Sequence, residues 1–167
     1  MSTVAELAFR EAVRGALAPL DRQLESALRS LIEYRYPPEV FALAFEVFSD
    51  GFTKGFPVRV FFMDRFNTEH FVLSEGKAEY PSPIDPGLME IPQVYSEALE
   101  EAIEAECPDL DIWQVATEEL IRWFAARWRD AGGAAFPLVA TIASHDSSRE
   151  FNLKSSAWQP SYASFDI

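Results

Sequence analysis

The hydrophobic period of the chain changes at Tyr36-Pro37-Pro38, and that change limits what it can fold into. Before it, Phe9, Val13, Leu17, Leu20, Leu24, Leu28 and Leu31 recur at steps of four and three, the stripe of one helix face. After it, Phe41, Leu43, Phe45 and Val47 alternate with small or polar neighbours, the period of a strand. A chain carrying both patterns buries them by laying helices on a sheet, so the expected class is α+β.

Punctuation along the chain predicts the order of elements. Thr3 and Glu6 read as a capping box for the first helix, and Pro19 predicts a kink or a division into two helices. Residues 40–48, 58–66 and 69–73 read as three strands of an antiparallel meander, with turns at Ser49-Asp50-Gly51 and Asn67-Thr68. Residues 78–92 hold Pro81, Pro83, Pro86 and Pro92 and read as an irregular crossing loop. A helix over 93–106 is expected, with Pro92 in its first turn and Pro108 stopping it. Asp111 to Gln114 is a second capping box, opening a helix that runs to about Ala131 and ends at Gly132-Gly133. Residues 138–144 and 150–154 are the last strands. The predicted order is α-β-β-β-α-α-β-β: a mostly antiparallel sheet of about five strands packed against helices. One domain over 1–167 is expected, with 155–167 an irregular tail whose Trp158, Tyr162 and Phe165 have two open placements, on this core or on another chain.

Composition supports a packed core, since 49% of the 167 residues are hydrophobic and 14% aromatic. The single cysteine, Cys107, cannot form an internal disulfide and fits a reducing compartment. Glu6, Arg10 and Glu11 stand where a signal peptide would be apolar, so cytoplasm is the expected location. The net charge of −13 is unevenly spread. No Lys or Arg occurs between Lys77 and Arg122, and that interval holds twelve of the 27 acids; the other 15 nearly balance the 14 bases. Such a field repels nucleic acid and anionic lipid, so neither is an expected partner, and it attracts basic proteins.

Catalytic patterns are weak. Ser144-His145-Asp146 has the residue types of a hydrolytic triad, but neighbours on a strand point to opposite faces and cannot hand a proton along. Cys107 lies between Glu106 and Pro108, an acidic setting that suits a structural thiol better than a nucleophile. No Gly-rich phosphate loop is present, and no cofactor is expected. His70, His145 and Asp64 are candidate metal ligands only if their two hairpins are neighbours. The sharpest feature is the acidic helix, where Glu97, Glu100, Glu101 and Glu104 gather opposite Leu99 and Ile103. Like charges four apart destabilise a helix by a few tenths of a kcal/mol each, so an unrelieved cluster suits a docking face.

The expected function is therefore non-catalytic: a protein-binding or inhibitor module that docks a basic partner through Glu97, Glu100, Glu101 and Glu104. In general character (small, acidic, α+β, without a catalytic motif) the chain resembles bacterial immunity proteins. The resemblance implies neutralisation of a cationic nuclease or other toxin. Two other expectations remain: a small-ligand protein or enzyme with a pocket beside loop 81–92, and an oligomeric structural protein.

Overall fold

A computed structural model describes residues 3–165. Thr3 caps α1 (Val4–Leu17), its side chain accepting from the Glu6 backbone N–H at 3.0 Å. Pro19 has no N–H to donate to the preceding turn. The helix accordingly tightens to a short 3-10 turn over Ala18–Leu20 and resumes as α2 (Asp21–Glu33). Phe9, Val13, Leu17, Leu24, Leu28 and Leu31 are all buried, as the stripe predicts.

The sheet has six strands: β1 (Ala42–Val47), β2 (Phe56–Met63), β5 (Met89–Ile91), β6 (Val139–Ser144), β7 (Arg149–Asn152) and β8 (Ala157–Pro160). Their order is β5-β2-β1-β6-β7-β8, and a separate hairpin joins β3 (Val72–Ser74) to β4 (Lys77–Glu79). Neighbours in the large sheet are antiparallel except β1 and β6, which run parallel. The class is α+β, a mixed sheet packed against helices. The third meander strand leaves the large sheet after one bridge, Met63 to Glu69. Two short edge strands replace irregular chain: β5 pairs β2, and β8 pairs β7.

One face of the sheet carries the core. Leu43, Phe45 and Val47 on β1 align with Phe62, Val60 and Val58 on β2 and with Ala140, Ile142 and Ser144 on β6. Over them lies α4 (Ile112–Asp130), with the Phe45 ring 4.9 Å from Phe124 and 5.7 Å from Trp128. Each such aromatic contributes roughly 1.5–3 kcal/mol by burial. Helix α3 (Glu97–Glu106) starts later than its prolines suggest, because Ser96 caps it by accepting from the Leu99 N–H. Gly132, at φ +101°, closes α4 in a left-handed conformation that a side chain would strain.

Among the described residues, no α-helix packs on the other face; a short 3-10 turn over Ala163–Phe165 reaches it. This face presents Ala44, Glu46, Arg59, Phe61, Thr141 and Ala143. The C-terminal segment covers part of it in the same molecule, where Phe165 packs edge-on to Phe41 at 5.3 Å; Trp158 instead packs on Phe151 at 5.6 Å on the helix side of the sheet. Among the described residues, no helix is long and apolar enough to cross a membrane.

Candidate functional site

Among the described residues one pair of strands in the sheet is parallel, and it sets where a site can form. Strands β1 and β6 end side by side, Val47 aligned with Ser144. From there the chain leaves β1 toward β2 and leaves β6 toward β7, on opposite sides. Loops departing in opposite directions leave a crevice at the carboxyl ends of the strands, where open sheets commonly bind ligands. Two depressions flank this point, one on the helix side and one on the open face. A cleft lined by Trp113, Ser144 and Ser147 lies between them.

The larger depression is a groove of about 700 Å³. Four carboxyl-bearing residues line it from three parts of the fold: Asp50 after β1, Glu100 and Glu104 on α3, and Asp111 at the start of α4. Among the described residues, Lys54 is the only base lining it. Asp111 is held in place as the α4 cap, accepting from the Gln114 N–H at 3.0 Å. Tyr95 and Trp113 supply aromatic surface, and Trp113 is 40% exposed. Burial, with Glu100 hydrogen-bonded beside it, pushes the Tyr95 phenol well above its ordinary range. Tyr95 is itself fixed edge-on to Phe9 at 5.1 Å, so the groove wall is anchored in the core.

The second depression is a hollow of about 260 Å³ on the open face. It exists because the central strands carry small residues there: Ala44 on β1, and Thr141 and Ala143 on β6. Phe61 and Met63 wall it on the β2 side, and Tyr162 and Phe165 wall it on the other. Glu46, Glu69, Asp146 and Glu150 are among its lining residues. Desolvation raises the Glu46 carboxyl above its usual range, only partly offset by His145, whose Nδ1 is 3.7 Å away. His145 stacks on Phe48 at 4.3 Å. Glu150 is 6% exposed, and Gln159 donates to it at 3.1 Å.

The structure sorts the residues singled out by sequence. Glu100 and Glu104 enter the groove, whereas Glu97 and Glu101 are exposed on α3 outside its lining. His145 reaches the hollow; neither His70 nor Asp64 lines it. Asp64 instead closes a turn, accepting from the N–H groups of Phe66 and Thr68 at 2.8 and 2.9 Å. No group of three or more His, Cys, Asp or Glu among the described residues is arranged to hold a metal ion. Loop 81–92 lines neither depression; its Pro86 carbonyl accepts from Val60, and Leu88, Met89 and Ile91 are buried against the sheet.

Asp50, Asp111, Trp113, Glu46 and Glu150 are the site residues that sequence reasoning missed. The first two read as turn and cap residues, which they are; their convergence with α3 is tertiary. Together the fold and site define an α+β protein with acidic depressions at the ends of its parallel strand pair. No protein-family model, curated protein or solved structure matches the chain.

Proposed function

We propose that this protein is a binding module that seats basic side chains of a partner protein in the acidic groove, in its concrete form an inhibitor of the immunity type. The observation that carries this reading is the convergence of Asp50, Glu100, Glu104 and Asp111 on one groove with a single opposing lysine. Gathering like charges is unfavourable in the free protein and becomes favourable once a cation enters. The surrounding acids also steer a basic partner and speed its association. Trp113 offers a ring face on which a guanidinium or ammonium packs, worth about 0.5–2 kcal/mol.

The test is affinity capture from a lysate of the source cell at low and high salt. Wild type serves as bait beside a variant with Glu97, Glu100, Glu101 and Glu104 changed to Lys, and captured proteins are identified by mass. A basic protein held by wild type, released by salt and missed by the variant is expected. Equal captures from both baits would refute the reading.

A further inference from the structure

The hollow on the open face has a different construction from the groove. Mid-sheet positions of central strands usually carry bulky side chains that pack. Here the aligned pair Ala44 and Thr141, and the pair Glu46 and Ala143, leave the centre low between aromatic walls. Four acids line that space, Glu46, Glu69, Asp146 and Glu150; Glu46 is offset in part by His145 and by Arg59 across the strand pair. Among the described residues no Lys or Arg forms an ion pair with Glu46 or Glu150. The nearest base in register, Arg59, lies over the rings of Phe48 and Phe61 at 6.0 and 5.6 Å. Glu150 is nine-tenths buried, with both oxygens aligned by neutral donors, the Gln159 amide and the Tyr162 N–H. Those bonds lock the carboxylate in place and tie it to the tail segment forming the wall. A buried carboxyl group held by neutral donors alone suits a ligand that brings a positive charge.

We propose that this hollow is a binding site for a compact organic cation, a primary amine or guanidine on a short apolar body. Its charged end sits between Glu46 and Glu150 and its apolar body lies over Ala44 and Ala143 against Phe61 and Phe165. Glu46 stands on β1 and Glu150 on β7, two strands apart across β6, so their backbones are separated by about 10 Å. That span admits one ammonium group between the two side chains. Tyr162 in the lining adds aromatic surface, which attracts a cation. Metal ions suit the site less, because among the described residues no three of its carboxyl and imidazole groups are arranged to hold one. This site stands independently of the groove and of any protein partner.

The experiment is a titration of the full chain with n-butylamine hydrochloride, followed by amide resonances in two-dimensional NMR. n-Butanol, of the same shape without the charge, is the control. Saturable shifts at Glu46, Ala143, His145 and Glu150 are expected with the amine alone. Glu46→Gln should weaken binding at least tenfold. Ala143→Leu, which fills the hollow without touching a charge, should abolish it. Glu100→Lys with Glu104→Lys should leave it unchanged, since those residues line the other depression. If Ala143→Leu disturbs folding, Glu46→Gln alone decides. The proposal is overturned by shifts confined to the groove, by equal shifts with butanol, by unchanged affinity in Glu46→Gln, or by no saturable shift at all.

Discussion

Glu119 and Glu46 are both carboxylates drawn away from water, one under the helices and one on the open face of the sheet, and their surroundings push them in opposite directions. Glu119 is 2% exposed, yet Arg10 approaches it at 3.0 Å, Arg14 at 2.7 Å and Arg122 at 3.4 Å. Burial raises its carboxyl, but the hydrogen bonds from Arg14 and Arg10 outweigh that and hold it below the ordinary range. Glu46 is less buried, and His145 at 3.7 Å with the more distant Arg59 offsets its desolvation only in part, so its carboxyl is raised. The fold gives the acid that ties α1 to α4 direct arginine hydrogen bonds, whereas Arg59 beside Glu46 forms no ion pair with it and lies over the rings of Phe48 and Phe61. An acid that holds the fold together is neutralised within the chain. Glu46 is offset within the chain only in part, by His145 and Arg59.

The largest effect should come from the neutralised acid. Glu119→Ala leaves Arg10 and Arg14 without their shared partner between α1 and α4, and should cost about 3 kcal/mol in denaturant unfolding. A loss under about 1 kcal/mol would show that the cluster is a solvated ornament and break the comparison.

The pH dependence sharpens the same contrast. The depressed Glu119 carboxyl contributes stability that is present above the ordinary carboxylate range and lost as pH falls through its folded value. The stability difference between wild type and Glu119→Gln should therefore shrink on acidification. Glu46 has the opposite sign: its raised carboxyl favours the neutral form, so its charge disfavours the fold at neutral pH. Glu46→Gln should be neutral or stabilising at pH 7, by ~0.5 kcal/mol or less, and the gain should vanish below the ordinary carboxylate range. Thermal unfolding across pH reads both; a destabilised Glu46→Gln at pH 7 would contradict the account.

Much of the fold is legible in the chain because its local signals agree with its packing. The stripe from Phe9 to Leu31, the break at Pro19, the strands around Phe45 and Val60, and the stop at Gly132 are each written in a few neighbouring residues. Strands β5 and β8 are not, because three or four residues become strand only when a neighbour offers a free ladder edge. The parallel pairing of β1 with β6 is likewise decided by helix packing between residues far apart in sequence. For the site, Glu100 and Glu104 stood out as part of an acidic run, while Asp50 and Asp111 are ordinary turn and cap residues until the fold brings them together. Glu46 carried a fainter signal. Reading Ala44, Glu46, Thr141 and Ala143 as one face reveals small residues around an acid at mid-sheet, a pattern that alternation alone conceals.

The most direct test of the acidic groove compares two charge reversals on one helix. Glu100→Lys with Glu104→Lys changes the groove; Glu97→Lys with Glu101→Lys changes net charge equally on the part of α3 outside it. Both variants, beside wild type, are used to capture the basic partner, and retention is measured against salt. The account predicts that the first pair abolishes retention while the second weakens it only modestly, through lost steering. Equal loss from both pairs would mean that the partner senses overall charge and not the groove, and would contradict the account.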